Sequence, residues 1–171
     1  MLSVNRVIKS IWILSLFIFT FVLLYGYYLL PDAVCISFDL KGNPTDYIER
    51  KKAFYGFASV FAFFNILVVF LDRFFLLIPN RIKPVPNKAY WLSTEETNQA
   101  LNFVLSDWFY SFLTIINLCF IIIYYAFTKI NRDFQSSILQ YSWVLPVCSI
   151  LIAAWVIYLP LRLYISKIFI R

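Results

Sequence analysis

Four polar residues fall inside long apolar runs, and their types bound the chemistry the chain can attempt. Asp107 lies in the first turns of a run that starts near Phe103. Arg73 lies near the end of a run from Ala53 to Ile78, and Asn65 and Asn117 sit near the middle of those two runs. A carboxylate in hydrocarbon is a proton or cation site if it stands alone, and an ion pair if a cation shares its depth. Arg73 and Asp107 each lie one to two turns inside a span, so pairing is the plainer expectation and an ion site at Asp107 the sharper one. Amides in hydrocarbon seek partners on neighbouring helices, which predicts an Asn65–Asn117 hydrogen bond.

Much other chemistry is excluded. The chain has no His and 3 Gly, which removes imidazole acid–base catalysis, imidazole ligation of haem and glycine-rich phosphate loops. Its 3 Cys show neither CxxC spacing nor a disulfide pattern, and Cys119 and Cys148 are expected at one level as small apolar fillers. No cofactor, metal or catalytic residue is expected, so the chain reads as a non-enzyme.

These residues need a bilayer to position them. Of 171 residues, 62% are hydrophobic, 21% aromatic and 14% charged, unlike a soluble domain. Four runs are long enough to cross a hydrocarbon core, predicting spans at about 9–30, 53–78, 103–128 and 137–161. The expected fold is all-α, an integral membrane four-helix bundle forming one domain, with an ordered outer loop at 31–52 and a cytoplasmic loop at 79–102. The first run is longer than a signal-peptide core and lacks a small-x-small cleavage site, so it reads as a retained helix.

Orientation follows from the cations. An inside N-terminus places Arg6, Lys9, Arg73, Arg81, Lys83, Lys88, Arg162, Lys167 and Arg171 on the cytoplasmic side, against Lys41, Arg50, Lys51, Lys52, Lys129 and Arg132 outside. Both termini are therefore expected in the cytoplasm. The formal net charge of +6 is scattered beside apolar runs and forms no continuous basic face, which argues against nucleic acid. Gly56, Ser59 and Ala62 form a small-residue stripe for close helix approach. Pro146 and Pro160 are candidate kink sites in the last span. Neither an internal repeat nor midplane charge suggests a transporter.

Both loops carry structure signals. The outer one starts with a break at Pro31-Asp32, alternates through Val34, Ile36 and Phe38, and turns at Lys41-Gly42-Asn43-Pro44, a pattern suited to a small hairpin or cap. In the inner one, Pro84 and Pro86 favour extended backbone, and Tyr90 and Trp91 are rings suited to the headgroup layer. Ser93 through Glu96 reads as a capping box, so the third helix should begin well before the membrane.

The loops also carry a resemblance. Leu30-Pro31, the Val34 to Phe38 step, the Gly42-Asn43-Pro44 turn and the basic Lys51 and Lys52 resemble the outer loop of a bacterial family of membrane domains of unknown function. That family is related to the sporulation-delay toxin immunity protein. Pro86-Asn87-Lys88-Ala89-Tyr90-Trp91-Leu92 is similar to its inner-loop motif. The resemblance covers the first three spans. It implies membership in that group of bacterial inner-membrane proteins, and it marks Pro31, Asp32, Phe38, Gly42, Pro44, Pro86, Asn87, Lys88, Tyr90, Trp91 and Leu92 as the loop-motif candidates for binding a partner. Where relatives commonly place a histidine before the loop phenylalanine, this chain has Ser37, so no imidazole role transfers.

Two functions compete. One is a small binding protein of the immunity or signalling type, with membrane lipid around it and a peptide or another membrane protein as partner. The other is an accessory subunit of a larger inner-membrane complex.

Overall fold

A computed structural model of the chain describes residues 2–39, 41–79, 82–132 and 138–169. Its elements, in order, are helix α1 (Leu2–Leu29), strands β1 (Ala33–Phe38) and β2 (Pro44–Glu49), helix α2 (Arg50–Leu77), the short helix α3 (Lys88–Trp91) and helix α4 (Glu95–Arg132). A 3-10 turn (Ile138–Tyr141) then leads into helix α5 (Val144–Phe169). Four helical segments are long and apolar enough to cross a membrane, with mean hydropathy between 1.9 and 2.4. The all-α expectation needs one amendment, because the outer loop is an antiparallel hairpin, Ala33 opposite Glu49 and Phe38 opposite Pro44.

Side-chain pairs fix the relative directions of the helices. Asn5 meets Asp107 and Ser15 meets Asn117 at a constant separation of 102 positions, so α1 and α4 run parallel. Phe57 packs on Tyr124, Phe61 on Phe120 and Phe75 on Phe109, so α2 runs antiparallel to α4. Trp108 and Trp155 exchange indole-to-carbonyl bonds, and Cys119 packs with Cys148, which makes α5 antiparallel as well. The hairpin therefore lies at one end of the bundle, and α3 with the start of α4 at the other.

Helix α4 is the hub, packing on α1, α2 and α5. In its most apolar stretch 39% of residues are buried inside the protein, against 11–22% in the other three. At 38 residues it is about 57 Å long at 1.5 Å per residue, well beyond a hydrocarbon core of about 30 Å. It starts at Glu95, ahead of the apolar run that opens near Phe103, and its cap is displaced by one residue from the expected box. Thr94, rather than Ser93, accepts from the Thr97 N–H, and the Thr97 hydroxyl accepts from the Thr94 N–H, a reciprocal box closed by two threonines. Ser93 instead donates to the Tyr90 carbonyl.

Three other expectations are corrected. The Gly56, Ser59 and Ala62 stripe is exposed, with nothing within 4 Å of a Cβ added at Gly56. The close helix approach is at Gly26 instead, where such a Cβ would lie 2.4 Å from the Tyr124 ring and 2.9 Å from the Thr128 hydroxyl. The fourth apolar stretch, Ile138–Tyr164, lies close to the expected span, but it is not one unbroken helix, because a 3-10 turn at Ile138–Tyr141 precedes α5. Pro146 falls in its first turn, where a missing N–H costs no ladder bond, and Pro160 lies inside it. Arg81, Arg171, and 133–137 ahead of the fourth helix lie outside the described residues.

Candidate functional site

The mid-depth amides do meet. Asn65 Nδ2 donates to Asn117 Oδ1 at 2.9 Å, Asn117 Nδ2 donates to Ser15 Oγ at 2.8 Å, and the Ser15 hydroxyl donates to the Trp12 carbonyl at 2.6 Å. The Trp12 indole then donates to Asn65 Oδ1 at 3.0 Å. The circuit joins α1, α2 and α4 and satisfies amides that would otherwise be orphaned in an apolar interior. Its role is to fix helix register.

The charged pair is arranged differently from the expectation. Among the described residues, the ion pairs within 4 Å are Arg50–Asp32 and Lys52–Glu49, both at the hairpin end, so Arg73 and Asp107 do not pair. Asp107 faces α1 and accepts from Asn5 Nδ2 at 2.6 Å, while Arg73 is exposed. The buried carboxylate is its neighbour Asp72, 3% exposed, with the Ser106 hydroxyl within hydrogen-bonding reach. Sequence reading passed over Asp72, although its place was visible. Phe61, Asn65, Val68 and Asp72 follow the 3–4 spacing of one helix face, and all four are buried.

Asp72 forms part of the wall of a cavity of about 300 Å³ at the α3 end of the bundle. Helix α1 contributes Asn5 and Lys9, α2 adds Arg73 and Leu76, and α4 supplies Asn102 and Phe103 among others. The Lys9 ammonium sits over the Tyr110 ring, 4.8 Å from its centroid. Asn102 is held from behind by Lys83, whose Nζ donates to Asn102 Oδ1 at 3.0 Å. Lys83 is itself only 2% exposed, and burial pushes its ammonium pKa below the ordinary 10.5. Sequence reading counted Lys83 merely as a surface cation, since a lysine in a proline-rich loop gives no periodic signal of burial.

The inner-loop candidates build the floor beneath this end. Asn87 adopts a left-handed conformation (φ 56°) that starts α3, a role suited to Asn. Lys88 is exposed, whereas Pro86, Tyr90 and Leu92 are half-buried. Trp91 is packed inside the protein rather than turned outward. It is 2% exposed, and its indole donates to the Leu163 carbonyl at 3.0 Å, tying the loop to α5. Leu101, Val104 and Leu163 pack around it.

The outer-loop candidates are spread along the hairpin. Arg50 donates to the Leu30 carbonyl at 2.8 Å and to Asp32 Oδ1 at 2.9 Å, capping the C-terminus of α1 beside Pro31. Phe38 is half-buried and pairs across the sheet with Pro44, and Gly42 takes the turn at φ 85°. Asp39, which sequence reading did not single out, organises that turn. It accepts from the Asn43 side-chain amide and from the backbone N–H groups of Asn43 and Lys41, and these bonds, the Asn43 amide foremost, hold its carboxyl below the usual range. Asn131 of α4 pins the opposite edge, accepting from the Cys35 N–H at 2.6 Å and donating to the Cys35 carbonyl at 3.2 Å. Between hairpin and bundle lies an apolar groove of about 300 Å³, walled by Ile36, Ile48, Phe57 and Phe120 and left open beside Gly56.

Compared with protein-family models, with curated proteins and with solved structures, the chain matches none.

Proposed function

We propose that this chain is a non-catalytic, multi-pass protein of a bacterial cytoplasmic membrane that binds a peptide or protein partner at its hairpin end, in the manner of an immunity or signalling protein. The observation that carries the reading is the double anchoring of the hairpin. A connector between two helices needs neither the Arg50 cap nor the Asn131 clamp, yet both hold it rigidly above an apolar groove. Most of β2 is exposed, including Tyr47, and β2 has no strand partner besides β1 among the described residues. A preorganised strand edge beside an apolar groove is a geometry that extended peptides use.

Photo-crosslinkers placed at Ile36 and Tyr47 of the full chain in native membrane test this reading. A discrete adduct from both positions, absent when the crosslinker replaces the outward-facing Phe17, is the expected result. Adducts with lipid alone at all three positions would remove it. The reading as an accessory subunit draws on the exposed Gly56, Ser59 and Ala62 stripe, where another helix has room to approach. Native electrophoresis in mild detergent separates the two, because a subunit migrates with stoichiometric partners.

A further inference from the structure

We infer that the cavity between α1, α2 and α4 at the α3 end is a headgroup site for a phospholipid of the phosphoethanolamine class, with Lys9 and Arg73 taking the phosphate and Asp72 the primary ammonium. The site is separate from the hairpin end and does not rest on the function proposed above. Its starting point is the carboxylate. Asp72 is 3% exposed, and among the described residues no cation lies within ion-pairing distance of it. A buried carboxylate so placed is costly unless charge or N–H donors reach it. Lys9, the nearest candidate on α1, is drawn over the Tyr110 ring instead. An ammonium inside the cavity supplies the charge that Asp72 lacks and adds N–H donors to the Ser106 hydroxyl.

The remaining walls suit the rest of such a headgroup. Lys9 and Arg73 present two cations to the cavity, and neither is committed to a carboxylate within 4 Å among the described residues. Because Lys83 occupies Asn102 Oδ1, the Asn102 N–H groups are left for a phosphate oxygen. Because Asn5 gives an N–H to Asp107, its carbonyl oxygen is left for the ammonium. Leu76 and Phe103 add the apolar wall that a glycerol backbone and acyl chains need. The depth also fits, since Asp72 is five residues before the end of α2 at Leu77, about 7.5 Å along the axis. An anionic lipid would satisfy the cations but leave Asp72 facing a hydroxyl. Arg73 is exposed and needs no lipid to offset burial, whereas Asp72 does, so the buried carboxylate decides the headgroup.

Native mass spectrometry of the full chain in detergent, titrated with phosphatidylethanolamine, phosphatidylcholine and phosphatidylglycerol, tests the assignment. The ethanolamine lipid should be retained about tenfold better than the other two, the scale of a charge-assisted hydrogen bond. The choline lipid shares its phosphate but has no N–H, and the glycerol lipid lacks the cation. Asp72→Asn should bring the ethanolamine lipid down to the level of the choline lipid. Arg73→Gln, at an exposed position that folding tolerates, should weaken all three by a similar factor. Displacement by soluble phosphoethanolamine would assign recognition to the headgroup alone, and resistance to it would assign recognition to the whole lipid. Equal retention of the three lipids, a preference for the glycerol lipid, or an unchanged preference in Asp72→Asn overturns the proposal. If Asp72→Asn fails to fold, full lipid retention by Arg73→Gln overturns it as well.

Discussion

The Trp91 indole donates to the Leu163 carbonyl at 3.0 Å, joining residues 72 positions apart. One bond thereby fastens the proline-rich loop to the last helix, and the ring it belongs to is 2% exposed. Trp91→Phe should keep most of the packing and lose the bond, costing about 1 kcal/mol. Trp91→Ala also opens a void and should cost roughly 3–5 kcal/mol. Thermal unfolding of the detergent-solubilised protein distinguishes the two. Equal losses for both substitutions would show that the hydrogen bond, rather than the ring, holds the loop.

The amide circuit predicts strong coupling between two residues. Asn117→Leu alone leaves one Asn65 N–H unpaired, the other staying on the Phe61 carbonyl, and removes the donor to Ser15 Oγ, while Asn65→Leu alone strands the Trp12 indole and Asn117 Oδ1. Each single change should cost roughly 1–3 kcal/mol, the penalty of unsatisfied buried groups. The double variant should lose less than the sum, by about 0.6–1.7 kcal/mol, the range found for such bonds between membrane helices. A double-mutant cycle measured by unfolding reads this directly, and additive losses would mean the circuit contributes no cooperativity.

The readable and unreadable parts of the chain divide along periodicity. Four helices, the hairpin turn at Gly42 and the Asn65–Asn117 contact followed from run length, turn residues and depth. Depth alone, however, does not say which way a side chain points. Asp72 and Arg73 share a depth within one residue, yet only Asp72 lies on the face of Phe61, Asn65 and Val68. Tracing that face would have exchanged the expected pair Arg73–Asp107 for the buried Asp72 beside Ser106. The burial of Lys83 and Trp91 was not legible by any local rule, because both depend on Asn102 and Leu163, residues 19 and 72 positions away.

The two helical glycines should respond oppositely to the same substitution. A Cβ at Gly26 would collide with the Tyr124 ring at 2.4 Å, and that ring is held by its hydroxyl on the Leu23 carbonyl. Gly26→Ala should therefore separate α1 from α4 and cost roughly 1–3 kcal/mol, as overpacking does. Gly56→Ala meets nothing within 4 Å and should be neutral or add up to about 1 kcal/mol through helix propensity. If Gly56→Ala instead abolished co-migration with a native partner while leaving the isolated protein stable, the small-residue stripe would be a helix-docking face.

Lys83 predicts a pH dependence with a definite sign. Burial lowers its folded pKa below 10.5, so between the folded value and 10.5 the unfolded chain binds the extra proton. Stability therefore rises with pH through that window, as the cost of burying the charge is relieved. Lys83→Met removes the titration, so the stability of wild type relative to this variant should increase as pH climbs from neutral toward 10.5. Melting midpoints for both proteins across that range give the comparison. A difference independent of pH would place the Lys83 ammonium in contact with solvent.

Asn131 pairs with Cys35 as a neighbouring strand would, one side-chain amide filling both main-chain groups. Asn131→Asp keeps the size but loses the donor to the Cys35 carbonyl, and Asn131→Ala loses both bonds. The hairpin edge should loosen in that order, while the Arg50 cap retains the α1 end. Cys35 is a free thiol 5% exposed, so its alkylation rate reports the loosening. Cys119 and Cys148, buried together between α4 and α5, serve as internal references. The rate at Cys35 should rise several-fold in Asn131→Asp and about tenfold or more in Asn131→Ala, the effect of losing roughly 1.4 kcal/mol or more of closing free energy. Equal acceleration at all three cysteines would indicate global unfolding. Unchanged labelling of Cys35 would mean that the Arg50 cap alone suffices to hold the hairpin.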